Sequence, residues 1–160
     1  MKPTIYEAAG GIEAFRALAH AWHARCMADP VTAHPFSHGI HPQHAERLAA
    51  YWAEALGGPG DYTRSLGDQS SVVRMHAGNG EHLELDEKAQ HCFALALDDV
   101  GLGQDPRLRE TLKAYFRWAT GLMSAYPESP GQVPADLALA RWSWDGPVGS
   151  DRGSRTARGT

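Results

Sequence analysis

An all-α fold is what this 160-residue sequence predicts, and two observations carry the expectation. Apolar residues recur at spacings of three and four along four long stretches, the period that lines one face of a helix. Each stretch is bounded by Gly, Pro or a capping polar residue, where a helix has to begin or stop.

Thr4 followed three residues later by Glu7 has the form of a capping box, so a short helix opens the chain. Gly10-Gly11 breaks it. From Ile12 to about Ala28 the residues Ile12, Phe15, Ala19, Trp22 and Cys26 define one buried face, and Asp29-Pro30 stops that helix. Residues 31–41 are rich in Pro and His and too broken for a long helix. A further helix runs from about Pro42, a favoured first-turn residue, to Leu56, with Ala45, Leu48, Tyr51 or Trp52 and Ala55 inward. Gly57-Gly58-Pro59-Gly60 ends it. Residues 61–71 read as an irregular linker, and Val72 to Ala77 as a short helical turn before Gly78-Asn79-Gly80. Leu85 to Leu97 forms the next helix. Asp105-Pro106 opens the last, Arg107 to Tyr126, with Leu108, Leu112, Phe116, Ala119 and Met123 on one side. Four of the ten prolines crowd into the stretch after Tyr126. Residues 1–126 therefore form one domain, and 127–160 an extension expected to be largely irregular or disordered, above all from Ser150. Within it Leu137, Leu139, Trp142 and Trp144 are costly to leave in water and favour docking.

Apolar residues make up 42% and charged residues 21%, the balance of a soluble globular protein. A net charge of −4 with no basic stripe argues against a nucleic-acid partner. No apolar run is long enough to span a membrane, and none follows Met1-Lys2-Pro3-Thr4 to suggest a secretory signal. A cytoplasmic protein is expected. Cys26 and Cys92 fit that setting as small buried thiols rather than a disulfide.

Nine histidines are many for a chain of this size, and most are expected at the surface. His76, between two helical patterns, and His23 and His44, on or beside buried helical faces, are candidates for ligand chemistry. His20 with His23 and His41 with His44 are His-x-x-His pairs, each about one helical turn apart. A shared zinc, nickel or copper ion is a second reading of these pairs, although no carboxylate stands at an obvious third position.

The order of the pieces resembles the truncated haemoglobins, most closely their group II branch, over residues 4–126. The residues that carry the resemblance are Tyr6-Glu7-Ala8-Ala9-Gly10-Gly11, Ala28-Asp29-Pro30, Trp52 to Gly57-Gly58-Pro59, and Arg74-Met75-His76-Ala77. It implies a two-over-two globin fold around one haem b. By the same resemblance His76 is the proximal iron ligand and His23 takes the distal position where the family usually has tyrosine. Phe36 is the aromatic beside the haem, and His44 and Leu48 are the distal residues of the following helix. Gln90 matches the position where group II proteins usually carry tryptophan. Arg74, with Tyr62 or Arg64, is a candidate partner for the haem propionates.

A proximal histidine leaves the sixth iron position open to a gas or a peroxide. Distal imidazoles on facing helices then either donate a hydrogen bond to that ligand or move a proton on a peroxide, unless one of them closes the position itself. The expected function is dioxygen or nitric-oxide handling, with peroxidase-like or nitric-oxide dioxygenase activity as the enzymatic variant. The expected partners are a diatomic gas or peroxide and an electron-donating reductase, in a monomer or homodimer. A third reading is a cofactor-free interaction module docking through Trp142 and Trp144.

Overall fold

Residues 2–80 and 82–149 are described by a computed structural model. Helix α1 (Ile5–Ala9) starts where the Thr4 hydroxyl accepts the Glu7 N–H at 3.1 Å. The reciprocal half of the capping box is replaced by a side-chain bond, in which Thr4 Oγ1 donates to Glu7 Oε1 at 3.2 Å. Helix α2 (Ile12–Met27) buries Phe15, Leu18, Ala19 and Cys26. Asp29 caps the short α3 (Pro30–Ala33), which runs into a 3-10 turn over His34–Phe36. Helix α4 (His44–Ala55) begins two residues later than Pro42.

The stretch expected to be an irregular linker is mostly helical, as α5 (Asp61–Ser65) and the first half of α6 (Gln69–His76). Both are capped from outside their own apolar pattern. The buried Glu54 carboxylate accepts the Thr63 backbone N–H at 3.0 Å and the Thr63 hydroxyl at 2.8 Å, and the Asp68 side chain accepts the Ser71 N–H. Such capping satisfies donors that a five-residue helix has no turns to satisfy. Helix α7 (Leu83–Asp99) is longer at both ends than Leu85 to Leu97, and α8 (Pro106–Met123) opens on Asp105, whose carboxylate accepts the N–H groups of Arg107 and Leu108.

Helix α2 packs on α4 and on α7, and α7 on α8, which is the two-over-two arrangement of helix pairs. Ala45, Ala49 and Ala53 recur every four residues on α4, so no long side chain holds that helix away from its neighbours. Phe15, Leu18, Phe93, Leu97, Leu112 and Tyr115 fill the core between the layers. Each contributes on the order of 1.5–3 kcal/mol by leaving water. Arg25 at the end of α2 donates to both carboxylate oxygens of Asp99 on α7 (2.7 and 2.6 Å).

After α8 the chain does not leave the helices. A 3-10 turn at Pro130–Gln132 precedes an antiparallel hairpin of β1 (Arg141–Ser143) and β2 (Gly146–Val148), with Arg141 opposite Val148. Leu139, Trp142 and Trp144 pack against the main core and Leu137 against a smaller one. Trp142 lies against Trp118 at 5.2 Å between ring centroids, and the Trp144 indole N–H donates to the Pro3 carbonyl at 2.9 Å. The expectation of disorder from Ser150 falls outside the described residues. Among the described residues no helix is long and apolar enough to cross a membrane.

Candidate functional site

Helices α4 and α6 meet at one buried bond. The Tyr51 hydroxyl donates to Gln69 Oε1 at 2.7 Å, and both residues are buried. Seven residues back along α4 stands His44, and seven forward along α6 stands His76. At the rise of an α-helix each histidine lies roughly 10 Å along its own helix from that bond. Helix α6 packs on α8 and on the Pro130–Gln132 turn. His76 is exposed and His44 half-buried.

The structure gathers three predicted residues. His23 of α2, Phe36 of the 3-10 turn and His44 of α4 form a triangle of rings, with centroids 5.0 Å apart for His23–Phe36 and 5.4 Å for each of the other pairs. Trp22, Trp52, Phe93 and Phe116 stack and abut behind them. Two imidazole nitrogens in this triangle, His23 Nδ1 and His44 Nε2, are buried without a hydrogen-bond partner among the described residues. A buried polar atom left unpaired costs about 1–3 kcal/mol, so both have a partner to gain from a polar ligand. Burial first, and then the charges of His23 and His41, hold the His44 pKa below the ordinary histidine value. Leu48, one turn on from His44, is partly buried on the core.

His76 closes α6. Its Nδ1 lies 2.8 Å from the Val72 carbonyl. A carbonyl only accepts, so Nδ1 carries the proton and the neutral ring keeps Nε2 as a free lone pair. That is the tautomer a metal-ligating histidine needs, oriented by its own helix. Although His76 exposes much of its surface, enough protein surrounds the imidazole for desolvation to lower its pKa, with a smaller lowering from His82. Arg74 is exposed on the same last turn.

Two expected residues are placed elsewhere. Gln90 lines a surface cleft of about 300 Å³ between α7 and α8, with Glu87, His91, Lys113 and Arg117. The α7 residue that meets the aromatic cluster is Ala89, whose carbonyl accepts the Trp22 indole N–H at 3.1 Å. Tyr62 is a core residue, 4% exposed, packed edge-on against Tyr51 with Arg47 close to its hydroxyl. It has no open face toward a propionate, and Arg64 is drawn to Asp61 on its own helix.

One group beside His76 was missed. His82 Nδ1 donates to Asp86 Oδ1 at 2.9 Å, and the Ser124 hydroxyl donates to Asp86 Oδ2 at 2.8 Å, on a cavity of about 260 Å³. His82 and Asp86 stand four residues apart at the start of α7, and that spacing was the available signal. As for the His-x-x-His pairs, His20 lies 3.7 Å from Glu46 and His41 Nδ1 accepts the Gln43 N–H. Among the described residues no three His, Cys, Asp or Glu side chains come together in a way that holds a metal.

A family described as bacterial-like globin matches residues 4–119. A haemoglobin of the thermophilic phototroph Chloroflexus aurantiacus is 28% identical, with a TM-score of 0.65 over 76% of this chain and 98% of its own. A thermostable haemoglobin of the actinobacterium Thermobifida fusca is 25% identical, with a TM-score of 0.64 over 84% and 100%. The group II truncated haemoglobin of Bacillus anthracis shares the fold at 21% identity, with a TM-score of 0.68 over 83% and 99%. No curated protein matches the chain significantly. The fold implies a haem, and the residues present fit one: a neutral imidazole with a free Nε2 at the end of α6, and two buried imidazole nitrogens, on α2 and α4, without a partner among the described residues. The match over most of the helical core, on helices paired two over two, makes the chain a bacterial-like globin of the truncated haemoglobin type.

Proposed function

We propose that this globin binds a b-type haem through His76 and presents His23 and His44 to a diatomic gas, dioxygen or nitric oxide. The observation that carries the reading is the pair of buried, unpartnered nitrogens His23 Nδ1 and His44 Nε2. A reduced haem held by His76 supplies one open coordination position for such a ligand. The protein supplies the rest. Val72 fixes the ring of His76, Phe36 packs against both distal rings, and His44 or His23 donates an N–H to the outer atom of the ligand. Arg74 supplies a cation for a propionate.

His44 also favours a second reading, turnover of peroxide. Held neutral by burial, it takes a proton at Nε2 from one oxygen of a peroxide and returns it to the other.

Absorption spectra of oxidised, dithionite-reduced and carbon-monoxide-treated protein, for wild type and His76→Ala, test the ligand assignment. The haem band is expected in wild type and lost or displaced in the variant. An identical band in both sinks the assignment, and no band after reconstitution with hemin sinks the haem reading. For the distal pair, His44→Leu and His23→Leu are expected to speed gas dissociation or autoxidation by about tenfold, as loss of a hydrogen bond worth about 1.4 kcal/mol would. Peroxide turnover that falls in His44→Leu selects the second reading.

A further inference from the structure

Residues 124–137 lie beyond the family match, which ends at residue 119, and they hold the segment from Ser70 to Asp86 at both ends. At the near end Ser70 is 1% exposed and fully used: its hydroxyl donates to the Pro134 carbonyl at 2.6 Å and accepts the Leu137 N–H at 3.0 Å. In the middle Val133 closes a small buried cluster with Val73 and Ala77. At the far end Gly78 and Gly80 donate their N–H groups to the carbonyls of Tyr126 (2.9 Å) and Pro127 (2.8 Å), and Ser124 holds Asp86. Gly78 has a φ of +77°, and a Cβ there would stand 2.8 Å from Pro130 Cδ, so the two segments are in contact at that point.

Helix α6 has eight residues, too few to hold its own position, since isolated helices of that length are not stable in water. Ser70, Val73 and Ala77 share one face of it, at spacings of three and four, and that is the face the extension covers. His76 projects about 90° round the helix from that face. With the imidazole tip roughly 6 Å from the helix axis, a turn of about 10° displaces Nε2 by roughly 1 Å. A displacement of that size loosens a coordination site.

We propose that the C-terminal extension is a brace that sets the rotation of α6 and so positions His76 against the iron, with Ser70 and Val133 as its positioning residues. The proposal rests on the reading of His76 as the haem ligand. It assigns the extension a role within its own chain and ties haem retention to residues that touch no haem.

The test uses the full-length, haem-loaded protein and two readouts, the iron–histidine stretching band of the reduced form and the rate of haem transfer to excess apomyoglobin. Ser70→Ala and Val133→Ala are expected to shift or broaden the band and to speed haem loss at least fivefold. Trp144→Phe, which removes the bond to Pro3 at the other end of the extension, is the control. It is expected to lower the unfolding temperature while leaving the band unmoved. The brace is overturned if Ser70→Ala leaves the band unmoved and haem loss within twofold of wild type, or if Trp144→Phe moves the band as far as Ser70→Ala does. An unchanged absorption spectrum in His76→Ala overturns the ligand reading and the brace together. A changed spectrum there with a silent Ser70→Ala overturns the brace alone.

Discussion

At neutral pH the ring of His44 carries no charge, because burial and the neighbouring His23 and His41 disfavour its protonated form. Its folded pKa is lowered, so the unfolded chain takes up a proton first as the pH falls. The stability is in place above the ordinary histidine value of about 6.5 and is lost below it. Urea unfolding of the haem-free protein is expected to show a lower midpoint at pH 5.5 than at pH 7.5, with a smaller difference in His44→Phe. Equal differences in the two proteins would remove His44 as the source. Glu54 makes a second prediction at this scale. It is fully buried in α4, accepts two bonds from Thr63 and lies 3.7 Å from Arg141 of the hairpin. Glu54→Ala leaves those donors unmatched and is expected to cost about 1–3 kcal/mol in denaturant unfolding. Single residues were also where the sequence was least legible. His23, Phe36 and His44 are drawn together, and the α7 residue that meets the cluster is Ala89, one before Gln90. One residue turns a helical position by about 100°, so an uncertainty of one in counting across the Gly78–Gly80 loop moves a side chain to another face.

Among the elements, α2, α4, α7 and α8 were legible because each runs long enough to repeat its apolar period several times. The α2–α4 crossing depends on what those repeats contain. Ala49 is fully buried there, so Ala49→Leu forces side chains or backbone apart and is expected to cost about 1–3 kcal/mol, seen as a lower unfolding midpoint. A midpoint at or above that of wild type would mean the crossing has room to spare. Helix α5 and the first turn of α6 escaped notice because neither repeats a period. Their ends are fixed by Glu54 and Asp68, through contacts that a window of local sequence weighs poorly. The hairpin escaped for a related reason. Its three-residue strands are held by tertiary contacts such as Trp142 against Trp118.

At the scale of the molecule, the described residues form two cores, a large one between the paired helices and a small one of Val73, Ala77 and Val133 under the extension. Tryptophan fluorescence draws on Trp142 and Trp144 of the extension as well as on Trp22, Trp52 and Trp118 of the globin body, while helix content reports mainly on the body. Tryptophan fluorescence and far-ultraviolet circular dichroism are expected to trace one coincident thermal transition. An earlier fluorescence transition that is absent from the double variant Trp142→Phe, Trp144→Phe would mean that the extension melts on its own. The fold class was legible from composition and period alone, because both are properties of the whole chain. The placing of the extension was not, since Ser70 meets Leu137 across 67 residues.

The bond from Trp144 to Pro3 spans 141 residues, nearly the length of the described chain. A ribosome adding about 5–20 residues per second makes those two residues on the order of ten seconds apart. Val133 likewise follows the Val73 and Ala77 it covers by roughly several seconds at that rate. Until it emerges, the face of α6 that carries Val73 and Ala77 has no cover from the extension.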